Sequence, residues 1–401
     1  MKKILEYLIY IYIILVTFSG IFVKLVSASE NLLIIKSILP DCVILVIMII
    51  SMIIILKEGF RIKGKYFTRG LFSYVSIIFL INLIFLENMR NFLFVLRDIY
   101  FPFVLLTLLN EINIDEYNKK KIYKNICIIL SFQVVLGFIL GISQRILGWE
   151  WTSQFYAGHQ FYGIDIYTGI KIWSTNGMLR VPSLAGDSTL FAYYNILSYF
   201  FIRGSAIKRK KILLYLCSGN IILSTNKTVL ILLIIDIFRL IIRSSKKRIK
   251  FIIMGVSTIA FMIILVIIPR FIEGFYSTLF IRWINWIELI KDFNFFKPFG
   301  NLFSIGAGTE GFLSTFDNSY LYMLISYGIF GLIGYCLLLY SIYKSNKLSK
   351  NRLVLELLLV VIIGGITTNL FQGRVFFTPF CLLLFLIDRD IDSEHKNNRI
   401  I

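Results

Sequence analysis

Apolar runs of about 15 to 25 residues recur along this chain, and they are separated by short stretches rich either in lysine and arginine or in aromatic residues. A helix rises about 1.5 Å per residue and needs roughly 20 residues to cross the hydrocarbon of a bilayer. Runs near 4–23, 32–56, 67–86, 92–109, 122–147, 188–202, 212–224, 228–242, 251–268, 318–343, 353–371 and 375–387 therefore each read as a span. Of 401 residues 58% are hydrophobic and the mean hydropathy is +0.80, more apolar surface than a soluble domain can bury. The expected fold is all-α: one integral membrane domain over 1–401, a polytopic helical bundle of about twelve transmembrane helices.

Charge patterning orients these spans. The stretches Lys2-Lys3, Lys57 to Arg69, Lys119 to Lys124, Arg203 to Lys211, Arg243 to Lys250, Lys344 to Arg352 and Arg389 to Arg399 are all basic. With twelve spans they fall on one side, and the excess of cations in cytoplasmic loops puts both termini in the cytoplasm. The net charge of +19 is then a record of topology, not of nucleic-acid binding. The start, MKKILEYLIYIYIILVTFSG, has the charged and apolar halves of a signal peptide, but its apolar run continues and it reads as an uncleaved first span. Two long segments, about 148–187 and 269–316, fall on the outer side. Both are rich in Trp, Tyr and Phe, which suit the headgroup level and also stack on sugar rings. Few Gly, Ser or Pro linkers occur, and no internal repeat supports a two-halves transporter.

Metal and redox chemistry find little purchase here. The five cysteines, Cys42, Cys127, Cys217, Cys336 and Cys381, sit inside apolar runs without ligand spacing, so buried thiols are expected and disulfides are not. His159 and His395 are the only histidines and lie far apart, so neither a metal nor a cofactor is expected.

The stretch from Arg270 to Tyr343 carries the candidate chemistry. Phe275, Leu279, Trp283, Trp286 and Ile290 fall on one helical stripe with Arg282 at its flank, the pattern of a helix lying along a membrane surface. A glycine-rich loop follows, in which Gly306 to Gly311 spells GxGxxG; no strand precedes it, so dinucleotide binding is not expected. Asp317 or Asn318 then stands where it can cap the next span. Cations on the outer side are what topology leaves unexplained: Arg180, Lys227, Arg282 and Arg374 at span ends, and Arg97 about 8 Å inside the fourth span. Plainer readings stand beside these: Arg97 as a partner of Asp98 or of a backbone carbonyl, Arg180 and Arg282 as headgroup anchors, and Asp317 as a helix cap.

Arg282 to Trp286, Gly306 through Phe312, the DNSYL of Asp317 to Leu321 and the YGIFGLIG of Tyr327 to Gly334 follow one another in this order. In order and spacing they resemble the Wzy-type polysaccharide polymerases and the O-antigen ligases. Arg180 with Gly186-Asp187 is similar to an arginine-plus-glycine element of that family, whereas Lys227 stands where the family shows arginine and gives up the two-pronged grip on phosphate. The resemblance implies a glycosyltransferase in the cytoplasmic membrane of a bacterium, working without metal on a polyprenyl-diphosphate-linked oligosaccharide. It further implies a chain-length regulator protein as partner, besides the lipid bilayer. Asp317 is then the general base and Arg282 the first catalytic cation; Arg180, Lys227, Arg97, Arg374, Asn318 and Tyr320 bind the lipid diphosphate and glycan. Relatives with histidine in place of Asp317 leave the identity of the base open. A ligase that moves finished glycan to a terminal acceptor fits the same residues, and a lipid-linked oligosaccharide flippase or secondary transporter fits the same span count.

Overall fold

The computed structural model describes residues 1–26, 30–58, 101–112, 114–157, 163–164, 171–175, 178–244, 283–284, 286–287, 318–348, 352–368, 370 and 376–387. Helices α1 (Lys2–Thr17), α2 (Ser19–Val26), α3 (Glu30–Glu58), α4 (Phe101–Glu111) and α5 (Glu116–Ala157) come first. Three short strands follow, β1 (Gly163–Ile164), β2 (Lys171–Thr175) and β3 (Met178–Arg180), and then α6 (Ser188–Gly204), α7 (Lys210–Ser224) and α8 (Lys227–Ser244). The last helices are α9 (Ser319–Leu348), α10 (Arg352–Thr367) and α11 (Phe377–Ile387).

The helices are apolar on both faces. On α1, Leu5, Ile9, Tyr12, Ile13 and Val16 form a buried stripe, yet Ile4, Tyr7, Ile11 and Ile14 on the other side are exposed. On α5, Phe132, Ile139 and Ile146 recur every seventh residue at 64%, 58% and 76% exposure. In water the outward face of such a helix is polar; an apolar one matches hydrocarbon. Ile38–Glu58, Asn118–Tyr156 and Tyr327–Lys344 are long and apolar enough to cross a membrane, and α1 with α2, bent by 77°, makes a fourth if counted as one span. The expectation of twelve is thus met in part among the described residues. The runs at 67–86 and 251–268 lie outside them, and α6, α7 and α11 coincide with expected runs but are short.

Contacts between helices sort into two ends. At the basic end Lys2 pairs with Glu58 at 2.6 Å, Lys121 with Glu6 at 3.3 Å, and Lys119 lies over the Phe385 ring at 5.0 Å. Between the ends, a polar seam joins α5, α6 and α7: Asn220 donates to the Val134 carbonyl at 3.0 Å and to Asn195 Oδ1 at 2.9 Å, and Ser198 donates to Gln133 at 3.2 Å. Side-chain hydrogen bonds of this kind hold helices together where lipid removes the hydrophobic drive.

The segment 148–187, expected as a loop, is partly built. Helix α5 runs on to Ala157 through a kink at Gly148, whose φ of +82° suits glycine. Strands β1, β2 and β3 then pair in order, antiparallel, with Ile172 opposite Gly163 and Trp173 opposite Arg180. This small sheet is an addition that the all-α expectation did not contain.

Candidate functional site

At the end away from the basic clusters, residues 181–188 pass through the bundle fully buried. Backbone taken out of water must find partners, and here neighbouring helices supply them. The Ser183 amide donates to Gln144 Oε1 at 2.9 Å, the Tyr156 hydroxyl donates to the Ser183 carbonyl, and Gln144 Nε2 donates to the Tyr156 oxygen at 2.7 Å. The Ser183 hydroxyl donates to the Gly137 carbonyl at 2.7 Å, and Ser19 on α2 donates to the Ala185 carbonyl at 2.9 Å. Gly20 brings α2 against this segment so closely that an added Cβ falls 2.6 Å from the Gly186 nitrogen. Gly186 itself, at φ +75°, ends the short 3-10 helix Ser183–Ala185.

The next residue begins α6. Asp187, buried, accepts from the Thr189 amide at 2.7 Å and caps the helix. Arg180, half-buried on β3, reaches the Thr189 hydroxyl at 3.5 Å, which sets its guanidinium over the first turn of α6. Arg180 and Asp187 therefore both bond Thr189, Arg180 to its hydroxyl and Asp187 to its amide.

Lys227 is exposed at the first position of α8, where Asn226 accepts from the Val229 amide at 3.1 Å. Asn318 caps α9 by accepting from the amides of Tyr320 at 2.9 Å and Leu321 at 3.0 Å, which settles the choice between it and Asp317 for those two bonds. The Tyr320 hydroxyl donates to the Ile362 carbonyl at 3.0 Å. Ser319 donates to the Thr368 carbonyl at 3.1 Å and accepts from the Leu370 amide at 2.9 Å. Tyr193, on the second turn of α6, reaches Thr368 Oγ1 at 3.3 Å. The start of α6 and the start of α9 thus close on the same end of α10, so Arg180 and Asp187 lie toward the same end of the bundle as Asn318 and Tyr320.

Arg97, Arg282, Asp317 and Arg374 lie outside the described residues, as does most of the expected surface helix; within it Trp283 and Ile284 are helical and exposed, and Trp286 and Ile287 helical and half-buried. Gln144, Arg145 and Tyr156 did not emerge from the sequence reading. A signal was there: Gln144-Arg145 puts a cation at the end of an apolar run opposite to the basic loops. Searches against protein-family models and against curated proteins find no match to this chain.

Proposed function

We propose that this chain is a Wzy-type membrane glycosyltransferase of about twelve spans, with both termini in the bacterial cytoplasm. It polymerises polyprenyl-diphosphate-linked oligosaccharide units into surface polysaccharide on the outer face of the cytoplasmic membrane. The observation that carries this reading is the convergence of the Arg180–Asp187 segment and the Asn318–Tyr320 helix start on the outer end of α10, through Tyr193, Thr368 and Ser319. Two sequence elements of the resembled family, some 130 residues apart, meet there.

In this mechanism a sugar hydroxyl of the acceptor attacks the anomeric carbon of the donor. The new C–O bond forms as the bond to the lipid diphosphate breaks, the electron pair leaves with the diphosphate, and the hydroxyl proton passes to the Asp317 carboxylate. Arg180, Arg282, Lys227, Arg97 and Arg374 oppose the charge of the diphosphate as it departs. Asn318 keeps its amide NH2 for the glycan while its oxygen holds the helix start; the Tyr320 hydroxyl is committed to Ile362.

The test is complementation of a deletion with Arg180→Ala, Arg282→Ala or Asp317→Ala, followed by sizing of the surface glycan. Single repeat units in place of long chains, at normal protein level, are the expected result. Chains of normal length in all three variants defeat the reading. A lipid-linked oligosaccharide flippase is the alternative reading of the same span count. Loss of a flippase strands units on the cytoplasmic face, so single units at the surface separate the two.

A further inference from the structure

Arg145 sits three residues before the Gly148 kink, at the outer end of α5. One of its terminal nitrogens, Nη2, donates to the Leu223 carbonyl at 3.0 Å, at the end of α7. The other, Nη1, is buried and has no hydrogen-bond partner among the described residues. The same Leu223 carbonyl accepts from the Val181 amide at 3.3 Å, directly after Arg180. Two residues beyond Leu223, Thr225 holds a left-handed backbone at φ +52°, and its buried hydroxyl also lacks a partner among the described residues. Lys227 follows at once.

A buried guanidinium N–H left without an acceptor loses the full value of its hydration. A cation within a span, away from the basic loops, requires a further reason to be there. Both are met by an anion that brings several oxygens. A phosphoryl group can accept from Arg145 Nη1 and from the Thr225 hydroxyl while the Lys227 ammonium balances its charge.

We propose that Arg145, Thr225 and Lys227 form a phosphoryl-binding subsite at the α7–α8 turn, beside the Arg180 cluster. That the phosphoryl belongs to a polyprenyl diphosphate rests on the function proposed above; an anionic phospholipid headgroup offers the same chemistry. Gln144, the neighbour of Arg145, fixes the depth of α5 through Tyr156 and Ser183, so the subsite and the Arg180 segment share one support.

The experiment uses the full chain in nanodiscs of phosphatidylcholine, titrated with farnesyl diphosphate and, separately, prepared with phosphatidylglycerol. The thermal midpoint is the readout. The diphosphate raises the midpoint of wild-type protein. Arg145→Gln weakens its apparent affinity about 10- to 100-fold, Thr225→Val about 3- to 10-fold, and Arg209→Gln at the basic end leaves it unchanged. Stabilisation by phosphatidylglycerol alone, lost in Arg145→Gln, assigns the subsite to lipid headgroups and keeps the chemistry. Should Arg145→Gln not fold, Thr225→Val decides, since it spares the Leu223 bond: undiminished affinity overturns the subsite. Wild-type response to both phosphates in both variants overturns it as well. Such a failure, with glycan still shortened in Arg180→Ala, leaves the polymerase standing; intact phosphate binding with normal glycan in all site variants removes the polymerase and leaves the subsite.

Discussion

The two ends of this bundle use cations in opposite ways. At the basic end Arg203, in the last turn of α6, is bonded to two buried carboxylates, Asp236 of α8 and Glu356 of α10, and Arg239 stands 3.8 Å from Glu356. Two positive and two negative groups balance, and the Arg203 guanidinium also lies 5.0 Å from the Phe200 ring centre. At the opposite end Arg145 donates to a backbone carbonyl and Arg180 to a hydroxyl. Carboxylate partners make a closed structural clasp, whereas Arg145 Nη1 is buried with no hydrogen-bond partner among the described residues. The same residue type thus balances buried carboxylates at one end and bonds a helix-end carbonyl at the other.

That contrast can be broken most forcefully at the clasp. Arg203→Gln leaves Asp236 and Glu356 buried without their shared cation, and the expected loss is about 3–5 kcal/mol, read as reduced folded yield and a lower thermal midpoint in detergent. Neutralising all four members together (Arg203→Gln, Asp236→Asn, Arg239→Gln, Glu356→Gln) is expected to recover most of it. If the fourfold variant is no better than the single one, charge balance is not what the cluster supplies.

At the opposite end the expected effects are smaller because the groups changed are uncharged. Gly20→Ala forces a Cβ against backbone atoms of Leu184 and Gly186, an overpacking cost of about 3 kcal/mol, and a midpoint equal to wild type would show that α2 can move away. Tyr156→Phe removes the donor to the Ser183 carbonyl and the acceptor for Gln144, at about 2 kcal/mol. On the proposed function it is also expected to shorten the glycan, since Arg180 directly precedes the buried segment. Asn318→Ala removes the cap of α9 and costs about 1 kcal/mol. A loss of polymer far beyond that cost, at normal protein level, sharpens the case that its amide touches glycan.

Much of this was legible in one dimension and some of it was not. Arg180 and Asp187 stood close together as one stretch of sequence because nine residues or fewer separate them from Thr189, and a cap at Asp317 or Asn318 was legible because helix starts follow local rules. Arg203 with Glu356 was not, since they stand 153 positions apart and nothing in an apolar period says which helices touch. Gln144 and Tyr156 were hidden inside hydrophobic and aromatic stretches whose average character outweighs a single polar residue. The short β-sheet was missed because its strands are two to five residues long and carry no sustained alternation.

What the sequence alone determined is the environment: helices apolar on every face, with cations collected in alternate loops, can be satisfied in lipid and scarcely elsewhere, because backbone polar groups are then closed within each helix. What only the tertiary structure decided is the partner of each charge. Helix order in space is set by side-chain packing between distant segments, and an arginine closes an ion cluster or bonds a helix-end carbonyl according to what that packing brings it.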